Sequence, residues 1–190
     1  MPIPLGVLAV AGAGGAAAGG NAYELLETVL VGSGGQASVT FSNLNTNYGS
    51  TYQHLQIRAV VKTTAAERTT PIQVNINGST ATYTHRLQGT GAAVQSIAGE
   101  DRVGLIAGAT TSNVFGAAII DILDAFETTK NKTIRSLTGV NNGTNAGENM
   151  ITLASGFLNS TSTTSSLVID SSSGDWAEGS RISLYGMRSS

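Results

Sequence analysis

The sequence predicts an all-β protein built as an antiparallel β-sandwich, and three observations carry that reading. Short segments alternate apolar and polar residues, as in Ile72-Gln73-Val74-Asn75-Ile76-Asn77, which puts every second side chain on one face of a strand. The segments are separated by loops of Gly, Asn, Ser and Thr, such as Asn141-Asn142-Gly143-Thr144-Asn145, residue types that accept turn conformations. No amphipathic helical stretches intervene, so βαβ crossovers are excluded and two stacked sheets remain.

Two units follow from composition. Met1 to Tyr23 contains no charged side chain, and from Ala9 to Gly20 nearly every residue is Ala or Gly. Residues 1–22 are therefore a Gly/Ala-rich N-terminal arm and residues 23–190 the sandwich domain. Glycine and alanine let backbone approach backbone closely, and the bulky apolar residues Ile3, Leu5, Val7, Leu8 and Val10 suit docking in a partner's groove. They are the candidate anchoring residues. A secretory leader is disfavoured by the absence of Lys or Arg at the start and by Pro2 and Pro4. A membrane span is disfavoured because the segment holds too many Gly and Pro among too few bulky residues.

Along the domain, Ser38 to Ser42 reads as a strand around Val39 and Phe41. Leu55 to Lys62 is a second, with Leu55, Ile57, Ala59 and Val61 inward. Ile72 to Asn77 is followed by Asn77-Gly78, which favours a tight hairpin, and Thr82 to Leu87 reads as its return strand. Ala117 to Phe126 fits either a buried strand or a short helix; a strand leading into a loop is the favoured reading, because Thr128-Thr129 and Lys130-Asn131-Lys132 end it quickly. Thr133 to Thr138, Asn149 to Ala154, Ser166 to Asp170 and Ser180 to Tyr185 complete nine or ten strands.

Charged residues make up only 12% of the 190 residues; 24 Gly, 23 Thr, 20 Ser and 13 Asn fill the deficit. With 10 Lys+Arg against 12 Asp+Glu there is no basic stripe for phosphate neutralisation, so nucleic acid is not an expected partner. The absence of Cys excludes thiolate zinc, Fe–S clusters and cysteine nucleophiles. Two His leave little for a histidine metal site.

The motifs that remain have plain readings. Gly12-Ala13-Gly14-Gly15-Ala16-Ala17 matches a dinucleotide fingerprint, but Gly19-Gly20 breaks the helix that the fingerprint needs. No nucleophile elbow is present. His85 takes an ordinary strand position. Asp121, Asp124 and Glu127 form the densest acidic group, and paired carboxylates can hydrolyse glycosides; on a strand, however, Asp121 and Asp124 point to opposite faces. Glu100-Asp101-Arg102 reads as a turn with a local ion pair. Asp170, Asp175 and Glu178 lack the spacing of a calcium loop. The Asn-x-Ser/Thr triplets at Asn77, Asn131, Asn142 and Asn159 carry little information in so polar a chain. No catalytic, metal or cofactor residue is assigned.

Four stretches carry a resemblance. Tyr23-Glu24-Leu25-Leu26-Glu27-Thr28, Tyr52-Gln53-His54-Leu55-Gln56-Ile57-Arg58, a central block from Asn113-Val114-Phe115-Gly116 through Ile119 to Asp124 and Lys132 to Leu137, and Gly179 to Gly186 resemble in order the small jelly-roll virion proteins of tailed bacteriophages. The likeness spans about residues 23 to 187. It implies a jelly-roll-like β domain on the particle exterior, assembling often as a homotrimer, with members that serve as tail-fibre, receptor-binding or capsid-decorating proteins. It supplies no catalytic residues; Arg58 and Arg135 match its pattern and are expected to be structural. The expected function is a surface-exposed virion subunit of the tail fibre or tail tip, held through the arm to other virion proteins and facing a host glycan or protein, without membrane insertion. Capsid decoration is the alternative. A carbohydrate-active enzyme using Asp121 and Asp124, and a secreted lectin-like module, are further competitors.

Overall fold

Alternation at every second residue builds strands in which Leu55, Ile57 and Val61, or Ile72, Val74 and Ile76, point inward and are fully buried. A computed structural model describes residues 22–80, 84–90, 93–142 and 149–188. Of the expected arm over residues 1–22, all but the last residue, and with them Ile3, Leu5, Val7, Leu8 and Val10, lie outside the described residues.

In chain order the elements are β1 (Tyr23–Leu30), β2 (Ser38–Phe41), α1 (Leu44–Tyr48), β3 (His54–Val61), β4 (Thr69–Ile76), β5 (Ser79–Thr80), β6 (Thr84–Thr90), β7 (Ala93–Glu100), β8 (Gly104–Ala107), β9 (Gly116–Leu123), β10 (Lys132–Val140), β11 (Met150–Leu158), β12 (Leu167–Asp170) and β13 (Arg181–Met187). They form an antiparallel eight-stranded sheet, β1-β13-β3-β9-β10-β11-β6-β7, facing a smaller sheet, β2-β12-β4-β5, with β8 also paired to β4. Eight of the strands pair in a nested series: β1 with β13, β2 with β12, β3 with β9, and β4 with β8. A long hairpin folded over on itself gives this order, and split between two sheets it is a jelly roll.

The other strands are insertions. The β6–β7 hairpin lies between β4 and β8 in the chain, and the β10–β11 hairpin between β9 and β12; both extend the large sheet beyond β9. The core lies between the sheets, where Phe41, Ile57, Ile76, Ile120, Ile169 and Leu184 are fully buried. Trp176 closes one end, its indole N–H donating to the Ile169 carbonyl at 3.1 Å. Packing is tight at Gly186, where a Cβ would come within 2.5 Å of the Tyr52 ring, closer than packed atoms allow.

Three expectations need correction. The strand count exceeds nine or ten, because β5, β7 and β8 escaped the pattern. The Asn77-Gly78 turn does form, with φ of 52° and 79°, as a two-residue hairpin loop requires, but its return strand is only Ser79–Thr80. Thr82 to Leu87 is not that strand: from Thr84 the chain runs in the large sheet against β11, because β8 already occupies the first half of β4. The short helix α1 was also unforeseen; Leu44 is its one buried residue, too little for an amphipathic signature. The stretch from Ala117 forms strand β9 and then turns at Asp124, which has φ of 51°.

Candidate functional site

The acidic group named from sequence is divided by the fold. Asp121 stands mid-strand on the outer face of the large sheet, directly between Gln56 of β3 and Arg135 of β10. Gln56 Nε2 donates to Asp121 Oδ1 at 2.7 Å, and Arg135 donates to Oδ2 from Nη2 at 2.7 Å and Nε at 3.0 Å. Gln56 Oε1 in turn accepts from Arg58 Nε at 2.7 Å. The Arg58 guanidinium lies over the rings of Tyr185, 4.3 Å from the centroid, and Tyr23, at 5.0 Å. One chain of charge-assisted bonds and cation–π contacts thus ties five strands together. Arg58 and Arg135 both act here as structural residues.

Asp124 lies past the end of β9 and has other partners. Gln53 Nε2 donates to its Oδ1 at 2.8 Å and Lys130 Nζ to its Oδ2 at 3.2 Å. The Gln53 bond is the largest influence holding this carboxyl below its ordinary value, and Lys130 adds to it. The Asp124 backbone N–H donates to His54 Nδ1 at 2.8 Å. That ring nitrogen must therefore be unprotonated, so its 3.6 Å approach to Asp124 Oδ1 is proximity and not an ion pair. Glu127 turns away: its Oε1 caps the loop by accepting from the Thr128 and Thr129 backbone N–H groups, and these bonds lower its pKa. A glycosidase needs one carboxyl kept protonated near neutrality. In this group the two resolved shifts, at Asp124 and Glu127, run the other way.

The remaining sequence candidates stay apart. Asp170 accepts from Asn75 Nδ2 at 3.1 Å, and burial pushes its carboxyl up. Asp175 lies near Trp176, its backbone N–H bonded to Thr64 Oγ1. No group of three His, Cys, Asp or Glu suited to a metal ion occurs among the described residues. His85 lies in β6, its backbone opposite Ser155. Lys132 is fully buried and donates to the Glu127 carbonyl; burial lowers its pKa.

Sequence reasoning missed an exposed apolar surface that adjoins the Asp121 network. Ile119, Leu137, Leu153 and Leu87 are direct cross-strand neighbours on β9, β10, β11 and β6. They form an apolar row across the outer face. Beside it runs a row of smaller residues, Val60, Ala117 and Gly139, ending at Ile151 and Gly89. Ala117 and Gly139 leave a trough of about 250 Å³ bounded by Ile119, Leu137 and Ile151. The sheet phase is inverted here. In the middle of β10 and β11 the inward residues are Ser136, Thr138, Thr152, Ala154 and Gly156 while Leu137, Ile151 and Leu153 face out; nearer the strand ends Ile134, Val140 and Leu158 keep the ordinary inward phase. The signal was present in sequence, as Leu137 falls in the polar phase of its own strand.

No family model, curated protein or solved structure matches the chain. Among the described residues no helix is long and apolar enough to cross a membrane.

Proposed function

We propose that the chain is a non-enzymatic structural subunit of a tailed-phage virion, a jelly-roll body on the particle exterior attached through its N-terminal arm, at the tail fibre or tail tip. The nested pairing of first strand with last carries the reading most, because this closed double sheet suits a rigid presenting module and recurs in capsid and lectin domains. The acidic residues support it as well: Asp121 and Asp124 are each committed to partners that hold strands together. The four sequence stretches that resemble the virion group supply the biological setting; fold alone does not give function.

The test is localisation on purified particles by electron microscopy with a label on the chain, beside a chain lacking residues 2–20. Density at the tail for the full chain, and its loss for the truncated but folded chain, is the expected result. Density on the capsid replaces the tail placement with decoration. Turnover of host polysaccharide that vanishes in Asp121→Asn would overturn the non-enzymatic reading.

A further inference from the structure

We infer that the outer face of β9, β10, β11 and β6 is covered by the same face of a second copy of this chain, related by a two-fold axis running along the strands between β10 and β11. This stands whether or not the chain sits on a particle. The phase inversion is the first argument. A sheet face in water places Thr and Ser outward and Leu and Ile inward; in the middle of β10 and β11 the reverse holds, with Ser136, Thr138 and Thr152 inward and Leu137, Ile151 and Leu153 outward. Area is the second. Val60, Leu87, Ile119, Leu137, Ile151 and Leu153 are between 44% and 66% exposed. Taking about 200 Å² for a fully exposed large aliphatic residue, they offer roughly 600 Å², the upper end for a monomer's largest apolar patch. With a polar rim this approaches the ~800 Å² that each side of a standard interface contributes.

Self-complementarity selects a second copy as the occupant. The row Ile119, Leu137, Leu153, Leu87 reads the same from either end in size and chemistry. The proposed axis sets Leu137 over the partner's Leu153 and Ile119 over the partner's Leu87. In the next row it sets Ile151, the most exposed of the six, over the partner's Gly139, so a projecting side chain meets the trough. Arg135 falls over the partner's Ser155 and Arg58 over the partner's Ser96, so no arginine meets its like. Two sheets packed this way interdigitate at about 10 Å separation.

Sedimentation velocity on the full chain tests this. The expected mass at micromolar concentration is twice 19.3 kDa. Leu137→Asp with Leu153→Asp is expected to weaken the dimer at least about a hundredfold while circular dichroism and the melting midpoint report a folded chain. Leu137→Thr with Leu153→Thr, which suits a strand, gives the same reading if the aspartates perturb folding. Because the chain has no Cys, a mixture of Leu137→Cys and Leu153→Cys chains treated with a short bis-maleimide, which spans the ~10 Å between packed sheets, should yield a cross-linked heterodimer in preference to either homodimer. A monomeric wild type, a dimer indifferent to both double substitutions, or a monomer that dimerises only after removal of residues 2–21, which would mean the arm covers the face, would each overturn the proposal.

Discussion

The two halves of the large sheet solve opposite problems with the same backbone. In β1, β13, β3 and β9 the inward residues are Ile57, Ile120, Ile182 and Leu184, sealed against the small sheet. Their outward side carries the Arg58–Gln56–Asp121–Arg135 chain. In the middle of β10 and β11 the inward side is small and polar because β8 crosses it closely. A Cβ on Gly104 would lie 2.4 Å from Thr138, Thr138 Oγ1 accepts from the Leu105 N–H at 3.1 Å, and Ser136 donates to the Val103 carbonyl. Where β8 crosses there is no room for Leu or Ile, so Leu137, Ile151 and Leu153 face outward, while Ile134, Val140 and Leu158 nearer the strand ends still point inward. The difference teaches that apolar alternation marks which face is buried only after the layer above is known.

Breaking the jelly-roll half should cost most. Ile120→Ala, a fully buried site between the sheets, is expected to destabilise by about 3 kcal/mol in denaturant unfolding. Leu137→Ala in the extension should cost the isolated monomer well under 1 kcal/mol. Equal costs would remove the distinction between the halves. Asp121→Ala, at the seam, leaves Gln56 and Arg135 without their acceptor and should cost about 2 kcal/mol; a double-mutant cycle with Arg135→Ala should return a coupling of several tenths or more.

A smaller effect separates charge from shape at the end of β9. Asp124 sits at φ 51°, which Asn also accepts, so Asp124→Asn removes charge alone. The native carboxyl is held below its ordinary value, first by Gln53. It therefore adds stability that is fully present above the unfolded value of about 3.9 and is lost as pH falls through the native value. Asp124→Asn should lose about 1 kcal/mol or less at pH 7, and the gap to wild type should close on acidification in thermal melts. A gap that widens in acid would reverse the assignment. The smallest change expected is favourable. The Thr152 hydroxyl is buried with no bond partner among the described residues, so Thr152→Val should raise the unfolding free energy by about 0.5–1 kcal/mol.

Much of the jelly-roll half was legible. Strands such as β3 and β4 alternate because one face packs on the apolar interior and the other faces out, and Asn77-Gly78 announced its own turn. The strands that escaped had no such pattern. In β8 all four residues, Gly104 to Ala107, are buried, so period two vanishes, and β7 carries a register shift against β6. The site was legible only in pieces. Asp121 and Arg135 stood out as residues on consecutive strands, but the arrival of Gln56 and Arg58 on the other side of β9 depends on the β3–β9 pairing, which spans the β6–β7 insertion. The Ile119-to-Leu87 row depends on the register of four strands and could not be assembled from any one of them.

One consequence of the nested pairing concerns engineering. Because β1 lies beside β13, with Tyr23 opposite Met187, the two ends of the body leave from a single corner, about 5 Å apart across the ladder. In a chain that starts at residue 22, a fluorophore or affinity tag fused at either end would therefore report from the same place, remote in sequence but not in space. A short linker there would allow circular permutation, with fresh termini opened at the Asn77-Gly78 turn on the opposing sheet.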